Sequence, residues 1–296
     1  MRPATATWLR AAGLDPDAVE ALLRSTLAED LGESGDLTSR ATVPASAVLD
    51  VSWVTRESGT AAGMPVLAAL VEIAVSTDSA LDVRVGDGDR IEPGQTLATL
   101  RGPARDILAL ERTSLNVLGH LCGVATNTRR WVDAVAGTGA AVRDTRKTLP
   151  LLRALQKYAV RCGGGVNHRQ GLYDAVLIKD NHVVAAGGVG AALDAAHAAC
   201  DPTTVVQVEV DDLAQLEEAL RHGARQILLD NFDPATMRTA VSRVRQQAPL
   251  TLLEASGRLS LENAAEVAAT GVDFLAVGAL THSSRNLDIG LDTGPG

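Results

Sequence analysis

Cations gather in one stretch of this chain. Arg146 and Lys147 stand side by side in DTRKT (144–148), His168 and Arg169 follow the triple glycine of GGGVNHR (163–169), and Lys179 closes the apolar run AVLIKD (175–180). Among the 27 Lys and Arg only three are lysine, Lys147, Lys157 and Lys179, so two of the three end apolar runs. An arginine fork meets a carboxylate with two parallel hydrogen bonds, whereas a lysine ammonium is a point charge suited to phosphate or pyrophosphate. Two carboxylates end the next runs, Glu209 in VVQVEV (205–210) and Asp230 in QILLDN (226–231). They are acceptors for ribose hydroxyls or for a hydrated Mg²⁺. The last two runs end in EASGR (254–258) and AVGALTHS (276–283), where glycine, serine and open backbone N–H groups suit a terminal phosphate. The set fits a ligand that carries carboxylates, phosphates and a sugar.

Elements must bring these residues together. From residue 141 onward, apolar runs alternate with helix-period segments, the pattern of repeated βα units and a parallel sheet. The runs are 141–146, 175–180, 205–210, 226–231, 250–256 and 273–279. Between them, DDLAQLEEALRHG opens on a capping Asp and closes on Gly223, and LSLENAAEVAATG closes on Gly271. In a β/α barrel the carboxyl ends of all strands open onto one face, so the six polar ends converge on one mouth. The first 105 residues differ: VLDVSWVTRE reads as a strand, GMPVLAALVEIA as a helix, and residues 80–102 as a strand pair around Gly/Asp/Pro turns. Residues 104–135 form one long helical pattern that leads into the barrel and is placed for a subunit contact. GDRIEPGQ resembles a biotinyl or lipoyl carrier hairpin, but no lysine precedes Lys147, so that reading fails. Lys157, in LLRALQKYAV, reads as part of a solvated helix face.

Composition excludes several classes. At 296 residues the chain suits one large domain or two, and a formal net charge of -9 with seven aromatic side chains gives no footprint for nucleic acid. No apolar run reaches the length of a membrane span and MRPATATWLR lacks the order of a signal peptide, so a cytoplasmic protein is expected. Cys122, Cys162 and Cys200 show no CxxC spacing and are odd in number, which favours small core residues over disulfides or zinc.

From EDLGESGDLT to GALTHSSRNLDIGLD the chain resembles the quinolinate phosphoribosyltransferases, also called carboxylating nicotinate-nucleotide pyrophosphorylases, in the stretches ERTSLN, DTRKT, GGGVNHR, LIKDNH, VEV, LLDN, EASG and GALTHS. The resemblance implies an α/β protein: an N-terminal α/β sandwich (residues 1–110, joined by 284–296) and an open α/β barrel of about six parallel strands (111–283), the type II phosphoribosyltransferase architecture. It implies that quinolinate and phosphoribosyl pyrophosphate give nicotinate mononucleotide, pyrophosphate and CO₂ with Mg²⁺, in a homodimer with shared active sites and with a hexamer as the larger assembly open to it. Carried onto this sequence, Arg146, His168, Arg169 and Lys179 surround the quinolinate carboxylates, and Arg112 of ERTSLN enters from the other subunit. Lys147 faces pyrophosphate and ribose, Glu209 and Asp230 bind the ribose diol and metal, and Ser256, Gly257, Gly278 and Ala279 cradle the 5′-phosphate; Thr145, Val277 and Arg258 join them as substrate-binding residues. Lys147, Lys179, Glu209 and Asp230 are the catalytic candidates. His168 is open between a binding role and the hydrogen-bonded structural role commoner for a lone histidine, while His182 and His282 carry weaker signals. Arg258 stands where the family usually has glycine, and whether it meets phosphate or solvent is open; Cys122, where serine is common, carries no expected function. Two rivals stand beside this: a Schiff-base lyase using Lys179, and a non-catalytic binder or related transferase for another pyridine or metal-associated ligand.

Overall fold

The structure is a computed structural model and describes residues 1–75 and 79–294. Its elements begin with α1 (Pro3–Ala11), α2 (Pro16–Leu31), α3 (Leu37–Thr42), β1 (Val48–Thr55), β2 (Gly59–Thr60), α4 (Met64–Ala74), β3 (Ala80–Val83), β4 (Arg90–Ile91), β5 (Thr96–Pro103) and α5 (Ala104–Ala134). There follow β6 (Ala141–Arg143), α6 (Arg153–Cys162), β7 (Val176–Ile178), α7 (Asp180–Ala186), α8 (Val189–Ala199), β8 (Val206–Val210) and α9 (Leu213–Arg221). The chain ends with β9 (Gln226–Asp230), α10 (Pro234–Gln247), β10 (Leu252–Ser256), α11 (Leu261–Ala268), β11 (Phe274–Ala276), α12 (Ala279–His282) and β12 (Ile289–Thr293).

Packing divides the chain into Met1–Arg129, Leu149–Gly164 and Ser283–Gly296 as one unit, and Arg130–Thr148 with Gly165–His282 as the other. The first unit holds an antiparallel sheet of order β12-β1-β5-β3. Its core contains Trp53, whose indole N–H donates to Ser114 Oγ on α5 at 2.9 Å, and α4, buried from Met64 to Val71. The expected boundary between residues 110 and 111 falls inside α5, whose residues up to Arg129 group with the first unit, as do residues 149–164. Tyr158 of α6 accepts from the Gly63 amide at 3.0 Å and donates to the Asp87 carboxylate, and Gln156 lies 2.9 Å from His120. Six consecutive α6 residues, Leu155 to Val160, are buried, so the helix has no solvent face there. Lys157 is accordingly 0 % exposed, which corrects the solvated position expected for it.

The C-terminal segment reaches the first unit's sheet across α5, where Gly119 and Gly123 lie one turn apart. The Leu287 amide donates to the Gly119 carbonyl at 2.8 Å, and a Cβ at Gly123 would stand 2.0 Å from the Arg285 carbonyl oxygen. Only a glycine fits. Cys122 beside it is wholly buried and its thiol is pushed up to about 12 by that burial; Cys162, half-buried, is pushed up to about 12 for the same reason. Neither suits nucleophilic chemistry. Cys200 is half-buried, and all three are unpaired. Among the described residues no helix is long and apolar enough to cross a membrane.

The second unit holds a wholly parallel six-stranded sheet of order β6-β11-β10-β9-β8-β7. The end strands β6 and β7 follow one another in sequence without pairing, so this barrel is open, as expected. Ile227, Leu229, Leu253, Ala255 and Leu275 alternate onto the helix-covered face. Asp212 and Asp233 cap α9 and α10 by accepting from backbone N–H groups of their first turns, which stops each βα loop at a fixed residue. We expect Gly123→Ala to lower stability by about 1–3 kcal/mol, the scale of forced overpacking, and to hasten proteolysis behind residue 283; thermal unfolding and mass analysis of the fragments measure both.

Candidate active site

Register decides which side chains share the barrel's inner face. Glu209 pairs with Leu228, Leu228 with Glu254, Glu254 with Phe274 and Phe274 with Ala141, forming one row across five strands. One step toward the carboxyl ends, Asp230 pairs with Ser256 and Ala276 with Arg143. Because strand side chains alternate with period two, these residues, Lys179 two positions beyond Leu177, and Thr145 two beyond Arg143 all project to one side. On this side lies a cavity of about 310 Å³ lined by Thr145, Arg146, Lys147, His168, Arg169, Leu177, Lys179, Leu228, Glu254, Ser256 and Ala276, while Glu209 and Asp230 share the face but not the lining. A larger depression, about 580 Å³, opens near His197, Thr204 and His222 at the opposite ends of the strands. It lacks the converging cations of the carboxyl ends.

The cations differ in what holds them. Arg146 and Arg169 are half-buried, and each has a buried Nε without a hydrogen-bond partner. Arg169 also donates through Nη1 to the Ala175 carbonyl at 3.0 Å. Burial, then the charge of Arg146, pushes its guanidinium below the usual range, partly offset by Asp174. Lys179 Nζ donates to Glu209 Oε2 at 2.7 Å, with the lysine side chain 47 % exposed and the glutamate 10 %. Its backbone N–H donates to Nδ1 of His182 at 3.0 Å, which gives that histidine a structural place at the start of α7. Lys147 is exposed and its aliphatic stem crosses Gly278, where a Cβ would lie 3.0 Å from Cδ; Thr281 donates to the Lys147 carbonyl at 2.7 Å. His282 borders the same glycine.

The phosphate-type loops are tied together. The Asn231 amide donates to the Ser256 carbonyl at 2.9 Å, the Asn231 side chain donates to Asp230 Oδ2 at 2.6 Å, and a Cβ at Gly257 would stand 2.2 Å from Asn231 Oδ1. Arg258 follows at φ 52°, exposed, in the left-handed region that favours glycine. Its side chain is outside the cavity lining. Val277 is core, with its N–H donating to the Arg143 carbonyl at 2.9 Å, and Ala279 begins α12. Arg112 lies on α5 in the first unit and is exposed.

The cavity's floor was missed by motif reasoning. Arg143 donates to Glu254 Oε2 at 2.7 Å and stacks 3.5 Å above the Phe274 ring; Gln207 donates to the same oxygen at 3.2 Å. Asp144, 0 % exposed, accepts from the His168 amide at 2.8 Å and from Asn167 Nδ2 at 2.6 Å. The signal was alternation. Gln207, Glu254 and Arg143 each stand two residues before an expected site residue, Glu209, Ser256 and Thr145, and so share its face.

Comparison with known proteins gives the family. Models of the quinolinate phosphoribosyl transferase N-terminal and C-terminal domains match residues 36–122 and 124–292. The chain belongs to the quinolinate phosphoribosyltransferase family. It is 54% identical over 277 residues to the carboxylating nicotinate-nucleotide pyrophosphorylase of Mycobacterium leprae, covering 93% of this chain and 97% of that one. A probable enzyme of the same name from Bacillus subtilis is 39% identical over 278 residues, 92% of each chain. The structure of the nicotinate-nucleotide pyrophosphorylase from Francisella tularensis superimposes with a TM-score of 0.90 at 36% identity, covering 95% and 98% of the two chains. Arg258 is held in the left-handed region with its carbonyl accepting from Asn263 Nδ2 at 2.9 Å; Arg258→Gly should raise stability by about 1 kcal/mol, read as a higher midpoint in urea unfolding at unchanged slope.

Proposed function

We propose that this chain transfers the phosphoribosyl group of phosphoribosyl pyrophosphate to quinolinate with loss of CO₂, yielding nicotinate mononucleotide and pyrophosphate for NAD biosynthesis. The observation that carries this reading is the pair of desolvated, unpartnered Nε groups on Arg146 and Arg169 in a cavity that also receives Lys147 and Lys179. Buried guanidinium N–H groups without acceptors are costly, and a dicarboxylate supplies acceptors in matching geometry. Arg146, His168, Arg169 and Lys179 then surround the two carboxylates beside Thr145, and Lys147 meets the pyrophosphate and ribose. Ser256, Gly257, Gly278 and Ala279 form the region for the 5′-phosphate, with Val277 beneath it and the exposed Arg258 following Gly257. The Schiff-base rival loses support, because Lys179 lies in an ion pair rather than in the apolar pocket an imine-forming lysine requires.

Among the described residues no group of three His, Cys, Asp or Glu could cage a metal, while Glu209 and Asp230 project from neighbouring strands onto one face. That set fits a Mg²⁺ held by one or two carboxylates with substrate oxygens and water completing the shell. When bound, the ion would neutralise charge on the leaving pyrophosphate.

The chain's own residues position and screen. As the bond from ribose C1 to the pyrophosphate oxygen breaks, positive charge develops on the sugar, and Glu209 and Asp230 lie where carboxylates stabilise it. The quinolinate nitrogen forms the new bond to C1, held in line by the paired carboxylates. The cationic ring then draws in the electron pair of the adjacent carbon–carboxylate bond; CO₂ leaves and the ring carbon takes a proton. No covalent nucleophile is needed.

The direct test is CO₂ release that requires both quinolinate and phosphoribosyl pyrophosphate; release without either, or none with both, would remove the reading. Arg169→Ala should weaken quinolinate binding by one to two decades, about 1.5–3 kcal/mol for a lost charge-assisted pair. Lys179→Ala should cost less, since Lys179 leaves Glu209 to meet the ligand; calorimetric titration of both folded variants decides the order.

The reading includes a homodimer in which the exposed Arg112 reaches the partner's carboxylate site. Arg112→Ala and Lys147→Ala homodimers should each be inactive. Reassembled together in equal amounts, about half the dimers are mixed and carry one intact site each, so about a quarter of all sites regain activity. No recovery in confirmed mixed dimers would place Arg112 elsewhere.

A further inference from the structure

The buried layer under the cavity carries a directional message. Glu254 is 1 % exposed and Gln207 2 %, so every hydrogen bond between them is made out of water. An ionised carboxylate is acceptor-only. Glu254 Oε2 takes N–H groups from Arg143 at 2.7 Å and from Gln207 Nε2 at 3.2 Å. With its amide nitrogen committed to Glu254, Gln207 must turn its Oε1 the other way, and that oxygen lies 2.8 Å from His168 Nε2. An oxygen facing Nε2 requires Nε2 to carry hydrogen. The other ring nitrogen is fixed independently: the Arg169 backbone N–H donates to His168 Nδ1 at 2.7 Å, so Nδ1 is bare. The backbone of His168 is held by Asp144, whose Oδ1 accepts its N–H at 2.8 Å.

We propose that His168 serves this site as a neutral Nε2–H imidazole, a positioning residue that fixes the Arg169 main chain, and that Gln207 and Glu254 are positioning residues acting through it. Glu254 Oε1 stands 3.7 Å from His168 Nε2, too far for a hydrogen bond, and Arg143 offsets its charge, so the nearby carboxylate does not require an imidazolium. A proton on Nδ1 would point at the Arg169 amide hydrogen. The ring thus has both nitrogens engaged by protein groups, one of them on the residue whose guanidinium lines the cavity. Which nitrogen carries the proton is set by the hydrogen bond the other makes, and here both ends agree.

Nitrogen–proton correlation spectra of the histidine-labelled, substrate-free protein test the relay, with His168 assigned by its loss in His168→Gln. The wild type should show the neutral Nε2–H pattern at pH 7.5; an imidazolium or Nδ1–H pattern overturns the proposal. Glu254→Gln keeps the shape but lets position 254 donate, so Gln207 can reverse and present its NH₂ to Nε2; the Gln207 and Arg169 contacts then demand opposite tautomers, and His168 should become a mixture of the two. Gln207→Leu removes the acceptor and leaves a buried Nε2–H without a partner, so the Nε2 proton signal of His168 should shift or broaden, which keeps the test alive if Glu254→Gln fails to fold. An unchanged pattern in a folded variant overturns the relay. The second readout rests on the proposed reaction: in either variant the KM for quinolinate should rise about tenfold, the scale of one lost hydrogen bond, with the KM for phosphoribosyl pyrophosphate unchanged. Equal rises in both KM values count against positioning of Arg169. If quinolinate proves not to be a substrate while the spectra behave as stated, the substrate reading fails and the relay stands.

Discussion

The in-register pairing of six parallel strands is the constraint on which this site depends. A strand slipped by one residue would move its inward side chains to the helix-covered face. For β10 that would bury Ala255 where Glu254 stands and turn Ser256 away from the cavity; for β8 it would exchange Gln207 and Glu209 for Val208 and Val210. The apolar residues of the alternate set, nearly all fully buried, make such a slip costly because Ile227, Leu229, Leu253 and Leu275 would be driven into a polar cavity. The hydrophobic face therefore fixes the polar one.

Below the mouth, charge is balanced by the protein itself; at the mouth it is not. Arg143 and Glu254 form a pair with 14 % and 1 % of their side chains exposed, and Phe274 covers the guanidinium. Removing water from such a pair is expensive and is justified only with full hydrogen bonding, which Gln207 helps to supply on the carboxylate side. A step higher, Arg146 and Arg169 are drawn out of water without acceptors on Nε, and each disfavours the charge of the other, as the lowered pKa of Arg169 records. An anion entering there relieves repulsion as well as making bonds.

Much of this was legible in the amino-acid sequence because two periodicities coincided. Alternating apolar runs and capped helices placed all six barrel strands, and Asp212 and Gly223 bounded a helix as capping chemistry requires. The cationic residues declared themselves by ending those runs. What escaped detection depends on partners distant in sequence. Lys157 sits in a helix whose surroundings come from residues far along the chain, so its local pattern suggested solvent where there is none. Glu254 and Gln207 looked like interruptions of apolar strands rather than a layer, since only register shows that Glu254 and Arg143 meet across 111 residues. Arg258 was visible as a departure, but its left-handed backbone was not.

The contrast between Arg169 and Lys179 shows why proximity to a ligand is a poor measure of contribution to binding. Lys179 is already satisfied at 2.7 Å by Glu209, and with its side chain 47 % exposed that pair stabilises the ligand-free state by no more than about 1 kcal/mol. An anion recruiting Lys179 must replace that contact, and the released Glu209, only 10 % exposed, then needs another partner. A hydroxyl-rich sugar or a hydrated cation provides one. On the proposed function, binding at the carboxylate pocket and binding on the ribose side are coupled through this one ion pair: whatever draws Lys179 toward the ring frees Glu209 for the sugar. Arg169 has no such competitor at Nε, so on the same reading its interaction adds directly to affinity. The two sides then favour each other, because each releases the partner that the other needs.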